Sequence, residues 1–224
     1  MKKLTLLKTV SIGLAMVAGN ANANLLVDGS FESLNLNIDG FGPLLELFGP
    51  GSAVGGSWTN IGGFVLGKAT TYTEGPFIFA AQDGTKSIDL TGFGNQGPTA
   101  LSQTVSLVAG NYVLSFYLGN VNSDPQFGLS LPASVKVLIN NQQQGGIFTN
   151  SAGSTTTNWE QVLVPFQSLG GSTTITFSTF GLNLDYYTGI DNVVLAAVPE
   201  PKGYGLALVS MGLVAFVVRR RLSK

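Results

Sequence analysis

The chain has 224 residues, enough for one sizeable folded domain or two small ones. It contains neither Cys nor His, which excludes disulfides, thiol nucleophiles and the commonest zinc ligand. Between residues 24 and 201, three lysines face 12 acidic residues, so the formal charge of this stretch is 3 − 12 = −9. A body this acidic has no patch that could neutralise phosphates, so we expect no nucleic acid partner.

The N-terminus has the three parts of a secretory signal peptide. Lys2 and Lys3 form a cationic start, residues 10–18 form a short apolar run, and the small residues Ala21 and Ala23 precede a cleavage site. This order is typical of a segment that is removed after export, because the apolar run is too short for a membrane anchor. The sequence therefore predicts a signal peptide over residues 1–23.

Residues 24–197 predict one all-β domain. Apolar and polar residues alternate with a period of two between Gly-, Pro- and Asn-rich turns, and no stretch has a convincing helical period. The clearest runs are residues 100–107, 112–118, 135–139, 162–166, 175–179 and 190–198. Eight or more half-buried strands favour a jelly-roll β-sandwich. The Gly- and Leu-rich segment 35–56 is interpreted as a long loop after a first strand that contains Glu32.

The C-terminus carries a short apolar segment between two punctuating motifs. Residues 203–218 are uncharged; as a helix these 16 residues would reach about 24 Å, short for a bilayer core of ~30 Å. A cationic cluster orients such a transmembrane helix with its basic end in the cytoplasm and the β domain outside. The flanking motifs are Pro199, Glu200 and Pro201 before the helix and Arg219, Arg220 and Arg221 after it.

This arrangement over residues 198–224 resembles the PEP-CTERM sorting signal of Gram-negative bacteria. The resemblance implies recognition by an exosortase, removal of the helix, and delivery to the cell surface or to the exopolysaccharide matrix. The two prolines support it physically, because they keep the backbone extended where a processing enzyme would bind. The alternative is a plain single-span membrane anchor.

Six short phrases within the predicted domain resemble, in this order, the galactose-binding-like jelly rolls of choice-of-anchor proteins and related carbohydrate-binding modules. The phrases are residues 24–32, 57–59, 83–90, 101–104, 112–116 and 190–193. The resemblance implies a non-enzymatic domain that binds carbohydrate or exopolysaccharide. A structural matrix protein with no specific small ligand and, less favoured, a glycoside hydrolase are the alternatives.

The same resemblance implies a structural Ca²⁺ site. Glu32 and Asp191 occupy the phrases that supply its carboxylates, and Asp83 is a weaker third ligand. Calcium prefers hard oxygen ligands, so the absence of His and Cys is no obstacle. The alternatives are that Glu32 and Asp191 accept hydrogen bonds from backbone amides near strand ends, or that they are the acid and base of a glycosidase.

Aromatic residues before the Asp-Gly turn at residues 83–84 are the predicted ligand surface. Tyr72 and Phe77 are expected to stack on sugar rings there, together with Phe79, while Gln82 and Asn95 would supply polar contacts. The sequence has two tryptophans: Trp58 is expected in the core and Trp159 at the rim of the sandwich.

Overall fold

A computed structural model describes residues 23–37, 43–92, 98–121, 132–179 and 187–199. The described residues form β-strands, turns and bends without a helix, so the prediction of an all-β domain is confirmed. None of the described residues lies in a helix that could cross a membrane. The predicted signal peptide and the predicted transmembrane helix both lie outside these ranges.

The described residues form twelve strands, β1 to β12. In chain order they are Leu45–Phe48, Ala53–Val54, Trp58–Asn60, Val65–Ala69, Thr73–Glu74, Phe77–Ile78, Lys86–Asp89, Ala100–Asn120, Ala133–Ile139, Gln142–Asn150, Asn158–Ser178 and Gly189–Ala197. Ten of them belong to one antiparallel sheet in the order β1-β4-β7-β12-β8-β11-β9-β10, with β3 on β8 and β2 on β3. The hairpin of β5 and β6 stands apart.

The two longest strands, β8 and β11, fold the sheet over on itself. They pair along nearly their whole length, and this register places Phe177 beside Leu101. Phe116 lies 15 residues further along β8, about 50 Å away if the strand were straight at ~3.3 Å per residue. The rings of Phe116 and Phe177 are nevertheless 4.8 Å apart. The ribbon is therefore bent so that its two halves face each other across a core.

The bend lies where β8 and β11 carry glycines. Gly170 and Gly171 have φ angles of 92° and 93°, which only glycine adopts without strain, and the pairing is interrupted between Leu169 and Gly171. At the bend the ribbon exposes Leu169 by 92% and Val108 by 77%. These two side chains point away from the core and reach the surface beside it.

Large apolar side chains fill the space between the two layers. Trp58 is 1% exposed, and its ring centroid lies 5.6 Å from that of Phe31 and 6.0 Å from that of Phe177. The prediction that this tryptophan lies in the core is therefore confirmed. Alternation is confirmed on β8, where Tyr112, Leu114, Phe116 and Leu118 are all buried. A smaller second cluster lies beside this core; it contains Phe77, Phe79, Val121 and Tyr187.

Three expectations about the strands are wrong. The segment 35–56 contains β1 and β2, so it is more than a loop. Residues 24–32 form bends and turns alongside β12 in place of a first strand, with Leu25 donating its backbone N–H to Leu195. Residues 100–107 and 112–118 belong to one strand, β8, because the apparent turn between them is the bend of a paired ribbon. For the same reason residues 162–166 and 175–178 belong to β11, and Thr179 lies just after its end.

Candidate functional site

Glu32, one of the predicted calcium ligands, holds the Asp-Gly turn in place. Its Oε1 accepts the backbone N–H groups of Thr85 and Lys86, both at 2.8 Å, and its Oε2 accepts the Thr85 hydroxyl at 2.7 Å. The Lys86 ammonium donates to the Glu32 backbone carbonyl at 2.7 Å. Both carboxylate oxygens are thus occupied by donors of the chain itself.

Asp191 performs the same task from β12. A register shift between Asp191 and Val194 turns its carboxylate towards the loop before β7. There Oδ2 accepts the backbone N–H groups of Gln82 at 2.8 Å and Asp83 at 3.0 Å, while Oδ1 accepts that of Asn192 at 2.6 Å. Burial raises the pKa of Asp191 to about 7, although these three hydrogen bonds lower it.

These contacts favour the hydrogen-bonding interpretation of Glu32 and Asp191. Asp83, the third predicted ligand, accepts the Ser30 hydroxyl at 2.7 Å and is exposed. In the described part of the chain, no three acidic side chains come close enough together to hold a metal ion. Calcium binding at Glu32, Asp191 and Asp83 stays a prediction, which a melting experiment with added calcium tests.

The predicted aromatic surface is not arranged as expected. Phe77 and Phe79 are each 1% exposed, because they fill the second cluster, so their rings cannot stack on a ligand in this arrangement. Tyr72 is half-buried, and burial together with the neighbouring Glu74 carboxylate raises the pKa of its hydroxyl to about 12. Gln82 is half-buried and accepts the Asn192 side-chain amide at 2.8 Å. Asn95 lies outside the described residues.

Trp159 is half-buried and lies on β11. Its indole N–H donates to the Ala80 carbonyl at 3.0 Å, and its ring covers Gly119, where an added Cβ would lie 2.6 Å from the ring. The ring therefore occupies the space over Gly119, where a glycine has no side chain, and does not stand free at the rim of the sandwich. Sequence reasoning could have suggested this contact only if the pairing of β8 and β11 had been known.

A buried ion pair lies beside the second cluster, and sequence reasoning did not single it out. The Lys68 ammonium is 2.8 Å from Oδ2 of Asp89, and the two side chains are 5% and 4% exposed. The same ammonium lies 3.8 Å from the ring centroid of Phe79 and 4.8 Å from that of Tyr187. The apolar run in which Lys68 stands was the available signal, since a lysine within a buried strand needs a partner.

An amide-lined cleft opens on the described surface. It lies where the β9–β10 hairpin meets the bend of β11 and has a volume of about 250 Å³. Its lining comprises Ile139, Asn140, Gln142, Gln144, Gln167, Ser168, Leu169, Gly170 and Thr173. The side chains of Gln142 and Gln167 are exposed and make no hydrogen bond within the described residues, which leaves their donors and acceptors available.

Two other clefts contain charged and hydroxyl side chains that form hydrogen bonds within the chain. In one, Glu46 accepts the Asn37 backbone N–H at 3.1 Å and the Ser33 hydroxyl donates to the Gly55 carbonyl at 2.6 Å. In the other, the Lys86 ammonium donates to the Leu34 carbonyl at 2.8 Å. In the amide-lined cleft, Gln144 donates its side-chain amide to the Gln142 carbonyl at 3.2 Å, whereas the side chains of Gln142 and Gln167 form no such hydrogen bond in the described part of the chain.

The predicted sorting and cleavage residues lie mostly outside the described structure. Pro199 and Ala23 are described and lie at its two ends, Pro199 exposed after β12 and Ala23 exposed before the first turn. The remaining residues of these motifs lie outside the described ranges: Ala21, Glu200, Pro201, Arg219, Arg220 and Arg221.

No family model matches this chain. No curated protein matches it. Among solved structures, a family 35 carbohydrate-binding module from Clostridium thermocellum is 13% identical with a TM-score of 0.42, covering 69% of this chain and 98% of its own. TmCBM61, solved in complex with β-1,4-galactotriose, is 14% identical with a TM-score of 0.44, covering 78% and 99%.

The CBM22-1 xylan-binding domain of Xyn10C from Paenibacillus barcinonensis is 18% identical with a TM-score of 0.44, covering 70% of this chain and 94% of its own. All three TM-scores are below 0.5 and all three identities are below 25%, so these likenesses assign neither a fold nor a ligand to the chain. The antiparallel sandwich rests on the strand pairing and ring contacts described above.

Proposed function

We propose that this protein is an exported, non-enzymatic carbohydrate-binding protein whose jelly-roll sandwich holds a glycan or exopolysaccharide in the amide-lined cleft. The observation that carries the proposal is that two exposed glutamine side chains without a hydrogen bond to the described residues, those of Gln142 and Gln167, line one recess. A side-chain amide offers two donors and an acceptor in one plane, which suits the paired hydroxyls of a sugar ring. The cleft volume of about 250 Å³ is smaller than the ~300–1,000 Å³ of most ligand pockets, so the cleft suits a single sugar ring.

The chemistry of the cleft supports binding without catalysis. Its lining side chains are amides, hydroxyls and aliphatic groups, and none of them titrates near neutral pH. The exposed Leu169 supplies an apolar surface at the edge, where the C–H face of a sugar can rest. The two carboxylates considered for a glycosidase, Glu32 and Asp191, hold backbone amides instead of flanking a cleft.

Export and sorting complete the proposal. The residue patterns 1–23 and 198–224 support a signal peptide and a PEP-CTERM signal, with an exosortase as a transient partner and the inner membrane as a transient anchor. The mature protein would then reside on the surface or in the matrix of a Gram-negative bacterium. Mass spectrometry of the mature protein tests this, because both termini should be shortened; a chain that keeps residues 1–23 would contradict it.

Calorimetric titration of polysaccharides into the mature protein tests the binding site. Replacing Gln142 or Gln167 by Ala removes one or two neutral hydrogen bonds, each of about 0.5–1.5 kcal/mol, so affinity should fall about 2- to 12-fold per bond. Gln143→Ala is the matched control, because Gln143 precedes Gln144 on the opposite face of β10 and does not line the cleft. Equal effects of all three variants would overturn the site.

The same experiment separates the alternatives. A protein that binds no polysaccharide in a broad panel would favour the structural matrix function. Release of reducing sugar that is lost in Glu32→Gln, with the fold intact, would establish the hydrolase. Tyr72→Ala tests the surface expected from the sequence; it should leave binding unchanged, because that tyrosine lies outside the lining of the amide-lined cleft.

A further inference from the structure

The Lys68–Asp89 pair joins two neighbouring strands on their buried side. In the antiparallel register of β4 and β7, Lys68 lies opposite Ser87 and Leu66 lies opposite Asp89. Lys68 and Asp89 are therefore diagonal neighbours on the same face of the sheet, within reach of each other's side chains. The Nζ–Oδ2 distance of 2.8 Å places the amine in contact with the carboxyl group.

Aromatic rings shield this pair from water. Phe79, Tyr187 and Tyr72 surround the ammonium with centroid distances of 3.8, 4.8 and 5.6 Å, and the first two residues are 1% exposed. Both charges have lost their hydration, which is costly unless they are compensated. The rings and the carboxyl group compensate the ammonium, and together they hold the amine and the carboxyl group in contact away from water.

The second oxygen of the carboxyl group is held by Thr91. Oδ1 of Asp89 accepts the Thr91 backbone N–H at 2.9 Å and also the Thr91 hydroxyl. These donors fix the plane of the carboxyl group with Oδ2 towards the amine. They also lie where negative charge would develop on Oδ1 if a nucleophile attacked the carboxyl carbon.

We propose that Lys68 and Asp89 form an intramolecular isopeptide bond. A proton passes from the Lys68 ammonium to Oδ2 of Asp89, giving a neutral amine and a neutral carboxylic acid. Nζ then attacks Cγ, and the Thr91 donors stabilise the negative charge on Oδ1. The Cγ–Oδ2 bond breaks, and Oδ2 leaves as one water molecule. That water carries the proton transferred first and a second proton from Nζ. The product is an amide, and no oxidant or other reactant is consumed.

Such a bond would do the work of a disulfide in a chain that has no cysteine. It would join β4 to β7 covalently and restrict the unfolded chain between residues 68 and 89, which is how a disulfide stabilises a small exported domain. It would also fix one wall of the second cluster, because the rings of Phe79 and Tyr187 lie over the Lys68 end of the linkage.

Tryptic digestion of the unfolded protein, followed by mass spectrometry, tests the proposal. Trypsin does not cleave after an acylated lysine, and Lys68 and Lys86 are the basic residues between residues 24 and 135. The isopeptide bond therefore predicts one branched product, in which the peptide ending at Lys86 stays uncut at Lys68 and is joined to peptide 87–136. Its mass should equal the sum of the two peptides less one water.

Lys68→Arg is the matched control. It keeps the positive charge beside Asp89, but a guanidinium is a poor nucleophile, so its digest should give separate peptides ending at residue 68 and beginning at residue 87. Separate peptides with unchanged masses in the wild-type digest would overturn the proposal, and the pair would then be an ion pair only. Because the wild-type digest decides the matter, the test does not depend on the folding of the variant.

Discussion

Asp191 should make the stability of this domain depend on pH between 3.8 and about 7, where histidine is usually the side chain that titrates. Its side chain is buried, with 0% exposure, and burial raises its pKa from 3.8 to about 7. The folded protein therefore retains a proton that the unfolded chain releases above about pH 4. The stabilisation from this proton is complete below pH 3.8 and is lost as the pH rises through 7.

The magnitude follows from the difference between the two pKa values. A change from 3.8 to about 7 corresponds to roughly 4 kcal/mol at about 1.4 kcal/mol per tenfold change in the ionisation constant. Between pH 5 and pH 8, the free energy of unfolding should fall by about 2–3 kcal/mol of this total. The chain has no His, so no ordinary side chain obscures the change.

Urea unfolding at pH 5 and pH 8, in the presence of a chelator, measures this difference. The wild type should lose about 2–3 kcal/mol of unfolding free energy at the higher pH. Asp191→Asn keeps a similar side-chain shape without a proton to lose, so its stability should be nearly the same at both values. A wild type with equal stability at both pH values, or a variant with the wild-type slope, would show that Asp191 is not the source of the pH dependence.

Three further predictions concern residues that hold the sandwich together. Glu32→Gln should lower the free energy of unfolding by about 1–2 kcal/mol, because the charged acceptor of two N–H groups is lost; equal stability of the variant in urea would contradict this role. The calcium site that the family resemblance implies predicts that added calcium raises the melting temperature of the wild type; no change would count against the site. Trp58→Ala should cost about 3–5 kcal/mol by leaving a cavity beside Phe31, as measured by urea unfolding; a cost below about 1 kcal/mol would place that ring outside the core. Gly170→Ala should lower the free energy of unfolding by about 1 kcal/mol or more, because a φ of 92° strains any other residue and the added Cβ lies 3.2 Å from the Ala109 nitrogen. An unchanged midpoint of urea unfolding would contradict the described bend.

The sequence predicts the faces of the strands well because alternation is a local property. Leu114 and Phe116 are buried, as the period of two requires, and Trp58 lies in the core. Whether a strand continues through a turn-like segment depends on its partner strand, so the local pattern does not predict it. The residues around Gly110 have the composition of a turn, yet β8 continues through them because β11 bends at Gly170 in the same place.

The candidate sites were harder to predict because they join residues from distant parts of the chain. Gln142 and Gln167 come together only where the β9–β10 hairpin meets the bend of β11. The contact of Lys68 with Asp89 needs the register of β4 and β7, which the sequence does not specify by itself. Phe77 was expected on the surface, but the hairpin of β5 and β6 turns its ring inward onto the second cluster.

The most direct test of glycan binding at the amide-lined cleft is a nuclear magnetic resonance titration of the mature protein with the polysaccharide of its own matrix. The side-chain NH₂ signals of Gln142, Gln144 and Gln167 should shift in a saturable way, while the signal of Gln143 should stay in place, because its side chain does not line the cleft. Shifts confined to Tyr72 and Gln82, or no saturable shift at any residue, would contradict glycan binding in the amide-lined cleft.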